Sequence, residues 1–220
     1  GDTVRLTGIC DPNGTVLEHW KQRHGVTCYT DYQAVLEDPN IDAVCIATPV
    51  PLHASQAIAA LEAGKHVLSE VTAAYELDDC WNLVAAAQRS RKTYMLAENY
   101  CYMRETMMVG EMVRRGVFGD LIAAEGHYLH DCRDLFFNGD AELTWRGKLW
   151  RDRVANVYPT HSLGPVCQWL GINRGDRLST TASGKAARVA SPISRAGIFR
   201  SDLSLVSLTT GSRPTGLLPC

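Results

Sequence analysis

The hydrophobic positions of this chain change period repeatedly between residues 4 and 99. VRLTGICD (4–11), VTCYTD (26–31), IDAVCIAT (41–48), KHVLSE (65–70) and TYMLAEN (93–99) are short apolar runs that predict strands. TVLEHWKQRH (15–24), DYQAVLED (31–38), SQAIAALEAG (55–64) and ELDDCWNLVAAAQRS (76–90) carry helical spacing. Asp31 is placed to cap the second helix and Gly64 to close the third. IDAVCIAT is almost continuously apolar, the pattern of a strand covered on both faces. Strand and helix alternate over short links, which predicts a parallel α/β sheet.

After residue 100 the rhythm differs. ETMMVGEMVRRG (105–116) is an amphipathic helix ended by Gly116, and LIAAEGHYLH (121–130) reads as a strand. Residues 131–156 show no clear period and predict a loop. SLGPVCQWLG (162–171) predicts a short helix, while RLSTTASGKA (177–186) and DLSLVSLTTG (202–211) alternate as strands do. The expected architecture is a partial, doubly wound parallel sheet of Rossmann type over 1–99, then an incomplete α+β domain with a mostly antiparallel open sheet over 100–220.

Composition narrows this only a little. The chain has 220 residues, 45% hydrophobic and 21% charged, with a net charge of -2. Lys and Arg form no stripe, so nucleic acid is not an expected partner. No apolar run approaches the roughly 20 residues of a membrane span. None of the eight cysteines forms a Cys-x-x-Cys pair, which argues against zinc-ribbon and dithiol redox sites. We expect no metal: His127 and His130 flank Tyr128, but on opposite strand faces.

In a doubly wound sheet, ligands bind beyond the carboxyl ends of the strands. Asp11, Thr48, Pro49, Glu70, Glu98 and Asn99 stand at those ends. An acid at the end of its strand, such as Asp11, can take the ribose hydroxyls of NAD and repel the extra phosphate of NADP. Equally, Asp11 can be the turn residue before Pro12-Asn13-Gly14. A Gly-x-Gly-x-x-Gly turn is expected about 20 residues before such an acid. Only ten residues precede Asp11, so the first strand, glycine turn and first helix are expected to be missing.

ATPVPLHASQAIAALEAGKHVLSE (47–70) resembles the Gfo/Idh/MocA oxidoreductases. The usual Glu-Lys-Pro is replaced by Glu70-Val71-Thr72. ENYCYMRE (98–105), RRGVFGDLIAAEGHYLHDCRDL (114–135) and NVYPTHSLGPVCQWLGINRGDR (156–177) are similar to glycoside hydrolase family 109, a branch without that lysine. That resemblance implies a bacterial, NAD-dependent α-N-acetylgalactosaminidase, cytoplasmic or exported, acting on a glycan or small-molecule substrate and homodimeric when intact. It implies transient oxidation at sugar C3, loss of the C2 proton, elimination at C1, addition of water and re-reduction.

In this scheme the resemblance assigns His161, Tyr128 and Glu98 to catalysis, with Asp11, Thr48, Pro49, His53, Glu70 and Asn99 toward NAD. Tyr158, Asn156 and Arg133 are expected at the sugar. Each has a plainer alternative: a cap for His161, a half-buried strand aromatic for Tyr128, an ion pair for Glu98 and for Arg133. Trp145 and Trp150 could offer a stacking platform or close a small core. The alternatives for the whole are an NAD-dependent sugar or polyol dehydrogenase and a non-catalytic fragment.

Overall fold

The computed structural model describes residues 4–152, 157–175, 177–178 and 204–209, with backbone alone for residues 133 and 204–209. Two compact units divide the chain, Gly1–Ala97 and Glu98–Cys220.

The first unit alternates as its periodicity predicts. Strands β1 (Gly8–Cys10), β2 (Thr27–Tyr29), β3 (Ala43–Ile46), β4 (His66–Ser69) and β5 (Tyr94–Leu96) are interleaved with helices α1 (Gly14–His24), α2 (Tyr32–Glu37), α3 (Val50–Glu62) and α4 (Leu77–Ser90). Asn13 caps α1 by accepting from the Thr15 N–H, and Asp31 caps α2 by accepting from that of Gln33. The third helix starts at Val50, five residues before the sequence pattern, because Pro49 and Pro51 suit a first turn, where a missing N–H is harmless.

All pairings in this unit are parallel, in two sheets, β1-β2 and β3-β4-β5. No ladder joins the two sheets among the described residues. The core gathers Val44, Ile46 and Val67 from the larger sheet against Ala57, Ala60 and Leu61 of α3 and Leu83 and Ala86 of α4. Lys65 is buried and donates from Nζ to the carbonyls of Asp38 and Ile41, at 2.8 and 2.7 Å, tying the end of α2 to the start of β4.

One expectation is corrected. The continuous apolar run at 41–48 does not mean that both faces are covered. β3 alternates exposed and buried, and Cys45, Leu68 and Met95 lie in register across the sheet on the exposed side. Helices α3 and α4 pack on the other side only.

The second unit opens with a 3-10 helix, Asn99–Tyr102, followed by α5 (Arg104–Arg114) and β6 (Ala123–Tyr128). Helices α6 (Arg133–Phe136), α7 (Trp145–Asp152) and α8 (Thr160–Trp169) follow, and β7 (Ser204–Thr209) pairs antiparallel with β6. The stretch expected to be loop therefore holds two helices. The Thr144 hydroxyl accepts from the Gly147 N–H, a cap that starts α7 among its many charges. Trp150 closes a core with Cys132, Phe136 and Val157, so it is no stacking platform. The strand expected at 177–186 falls outside the described residues from 179 on. Of the thiols, Cys10, Cys45 and Cys80 are exposed, whereas Cys101 and Cys132 are buried.

One-sided coverage of the larger sheet has a measurable outcome. Leu61, 1% exposed, fills the covered side, and Leu61→Ala should cost about 2–5 kcal/mol in urea unfolding followed by circular dichroism. Leu68, 38% exposed on the open side, should cost well under half of that when changed to Ala.

Candidate functional site

Two glycines set the position of α8. A Cβ on Gly126 of β6 would lie 2.7 Å from the Ser162 carbonyl oxygen. A Cβ on Gly164 would lie 2.8 Å from Cys101 Sγ and 2.9 Å from Glu98 Cγ. The helix can therefore lie close to both the strand and the 3-10 helix. Its first turn, which includes His161, is brought against residues of each.

His161 is the hub. Its Nδ1–H donates to Glu98 Oε1 at 2.8 Å, and the two side chains are each 9% exposed. The Tyr100 N–H donates to the same oxygen at 3.0 Å. The imidazole lies 4.2 Å from the Tyr100 ring, 4.7 Å edge-to-face from Tyr128 and 5.7 Å from Tyr158, to which it is nearly parallel. The Tyr128 hydroxyl meets His130 Nδ1 at 2.7 Å, and Arg146 Nε donates to the Tyr158 hydroxyl at 3.2 Å. Arg146 also lies over the Trp145 ring at 4.3 Å.

Burial pushes the Glu98 carboxyl up. The hydrogen bond from His161, the Thr160 hydroxyl, the His161 charge and the Tyr100 N–H pull it down and prevail, leaving it below its usual 4.5. Glu98 Oε2 and Thr160 Oγ1 are both buried, and the Thr160 hydroxyl lies near enough to favour the carboxylate although the pair falls short of good hydrogen-bond geometry. Beneath them the Cys101 thiol is pushed up to about 11 by burial, with the Glu98 charge adding to it.

Glu98, Tyr128, Tyr158 and His161, all expected from the sequence, thus meet in one cluster. His161 is the second residue of α8 rather than pre-helical. Tyr100, His130 and Arg146 join them and were not anticipated. Tyr100 follows Glu98 by two residues, and His130 follows Tyr128 by two in the run that the sequence pattern reads as strand to residue 130, so both had a positional signal. Asn99 is exposed at the start of the 3-10 helix. Asn156 and the Arg133 side chain lie outside the described residues. His127 faces the other side of β6, 3.9 Å from Glu125. Among the described residues no three His, Cys, Asp or Glu side chains are grouped to hold a metal ion.

In the first unit, Asp11 follows β1 directly, and its Oδ1 accepts from the Asn13 N–H at 2.7 Å. Its second oxygen makes no hydrogen bond to a described group. Thr48 donates to Gln56 at 2.6 Å, and Pro49 stands just before α3 without a side-chain cap. Glu70 is exposed just past β4. His53 is 1% exposed, with its ring nitrogens 2.7 and 2.9 Å from the carbonyl oxygens of Thr48 and Thr72. It ties two strand-end loops together and presents no ring nitrogen to solvent.

Residues 1–98 match the family described as oxidoreductase family, NAD-binding Rossmann fold. Residues 102–194 match the glycosyl hydrolase 109 C-terminal domain. The chain belongs to the glycosyl hydrolase 109 branch of the Gfo/Idh/MocA oxidoreductases. A family 109 protein from Shewanella putrefaciens is 40% identical over 200 residues, covering 83% of this chain and 44% of the relative. A second, from Shewanella baltica, gives the same figures. The chain thus spans under half the length of these curated family 109 relatives.

Among solved structures, a myo-inositol 2-dehydrogenase from Lactobacillus plantarum shares the fold. Its TM-score is 0.69 at 20% identity, over 86% of this chain and 54% of that one. An NAD-binding protein from Listeria innocua matches at 33% identity and TM-score 0.51, over 55% of this chain and 36% of that one.

NAD is the family's cofactor, and the first unit fits part of it. Asp11, with one carboxylate oxygen open, suits a ribose diol, and Thr48, Pro49 and Glu70 sit at strand carboxyl ends. The sequence holds no Gly-x-Gly-x-x-Gly turn to cradle the diphosphate.

The lowered Glu98 carboxyl gives an expected pH dependence. Its contribution to stability is present in full above about pH 4.5 and is lost as pH falls through the lower folded value. Thermal unfolding of the wild type should therefore weaken across that window. Glu98→Gln should lack this part of the decline while keeping the rest.

Proposed function

We propose that this chain carries the substrate side of an NAD-dependent glycosidase. Its substrate is a terminal N-acetylgalactosamine, its route a transient ketone at sugar C3 with elimination at C1. The observation that carries the reading is the buried Glu98–His161 pair with the Tyr128 ring packed against the imidazole. When bound, NAD supplies a reversible hydride acceptor for the sugar carbon. With Nδ1 committed to Glu98, His161 has Nε2 left to take the C3 hydroxyl proton, and the carboxylate stabilises the imidazolium that results.

Tyr128 is the second proton-moving group, acting at C2 once the neighbouring ketone has acidified that position. A plain dehydrogenase requires proton transfer at one hydroxyl only, so a phenol packed on the imidazole favours the eliminating reaction. Tyr158, held by Arg146, lies nearly parallel to the imidazole and gives the sugar a flat wall. Asn156 and Arg133 complete the sugar contacts in this reading. Two opposed carboxylates of the usual glycosidase kind are not required.

The intact natural protein, supplied with NAD and an aryl α-N-acetylgalactosaminide in deuterated water, should release the phenol without net NADH and place deuterium at C2. His161→Ala and Tyr128→Phe should each lose about 10²–10⁴ in turnover. NADH rising in step with product would identify a dehydrogenase instead, and unchanged turnover in both variants would remove the site assignment.

A further inference from the structure

The Tyr128 phenol has an unusual neighbour for a residue at the edge of a core. Its ring is buried, 9% exposed, yet its hydroxyl lies 2.7 Å from Nδ1 of an exposed imidazole, His130. The two rings stand edge-to-face, 5.7 Å apart. On the other side of the Tyr128 ring stands His161, 4.7 Å away. The phenol is therefore flanked by a histidine fixed on a buried carboxylate and by one open to water. His130 lies two residues beyond Tyr128, just past the end of β6, and its hydrogen bond to the phenol places it on the Tyr128 side, while His127 faces away. No described group other than Tyr128 makes a hydrogen bond or ion pair with His130.

We propose that His130 is a positioning residue for Tyr128 and the outlet by which the substrate's C2 proton reaches solvent. This rests on the reading of Tyr128 as the C2 base. A phenol titrates ordinarily near pH 10, so at neutral pH it carries its proton and is a poor base by itself. Coupling to an imidazole removes that difficulty.

As the C2–H bond breaks, its electron pair moves into the enolate of the C3 ketone, and the proton passes to the phenol oxygen. The phenol's own proton passes to His130 Nδ1, and the proton on Nε2 goes to water. Tyr128 ends the step as it began, a neutral phenol, and His130 ends it as the other neutral tautomer. Nothing is oxidised or reduced in this step. Reprotonation at C2 runs the same path inward, so the exchanged proton comes from bulk water.

The test uses the intact natural protein with NAD and the aryl glycoside in deuterated water. The wild type is compared with His130→Ala and His130→Gln. Gln keeps a side chain able to hydrogen-bond the phenol but cannot pass a proton through, so it guards against a variant that merely unfolds.

Both variants should keep the wild-type melting temperature and the transient NADH absorbance of the first hydride transfer. C2 deuterium incorporation and turnover should fall by about 10² in each. Added imidazole should restore His130→Ala with increasing concentration, and more basic imidazoles should restore it further. A purely structural role for His130 would not produce that dependence. Undiminished C2 exchange in His130→Ala, or a loss that imidazole leaves untouched in a folded variant, overturns the outlet and leaves the glycosidase reading standing. Absence of C2 exchange in the wild type overturns both.

Discussion

A carboxylate taken out of water must be held by donors, and the cluster in the second unit is organised around that requirement. Glu98 has lost most of its solvent, and burial alone would drive its proton on. The His161 ring N–H, with the Thr160 hydroxyl, the His161 charge and the Tyr100 N–H, reverses this, and the His161 and Tyr100 groups meet one oxygen. The same contact fixes which imidazole nitrogen is committed and which remains, and so sets the chemistry of His161. The three tyrosine rings then hold the imidazole by its faces and edges. Removing the carboxylate would leave a ring well packed but undirected.

That contact depends on two absent side chains. Gly126 and Gly164 let α8 approach the strand on one side and the 3-10 helix on the other. The helix also accepts Pro165 in its interior, where the missing N–H leaves the His161 carbonyl without its usual helical donor. Gly164 and Pro165, inside the helix that the spacing predicts over 162–171, are a packing surface followed by a tolerated defect. The apolar contacts of Val166 and Leu170 with Leu163 and Ala124 outweigh that local cost.

The alternation of strand and helix in the first unit was legible because each element carries its own period. Asp31 as a cap was legible for a similar reason, since the polar group and the helix start are adjacent in the chain. What could not be read was anything set by distant partners. The exposure of Cys45 depends on which side of the sheet α3 and α4 occupy, and the run at 41–48 looks alike for one covered face or two. Helix α7 was hidden because its charges mask the spacing of Trp145 and Leu149, with only Thr144 as a start signal. At the site, Glu98, Tyr128, Tyr158 and His161 were found through family resemblance. Arg146 was missed because its role lies in reaching Tyr158, twelve residues on.

The placement of the thiols divides the molecule for the experimenter. Cys10, Cys45 and Cys80 face solvent in the first unit, while the buried Cys101 holds its proton to about pH 11 under the Glu98–His161 pair. Exposure therefore favours Cys80 on α4, and then Cys10 and Cys45, whose thiols burial also raises, over the buried Cys101 as points for a maleimide-linked fluorophore or spin label. Reporters can be attached to this chain without rebuilding it.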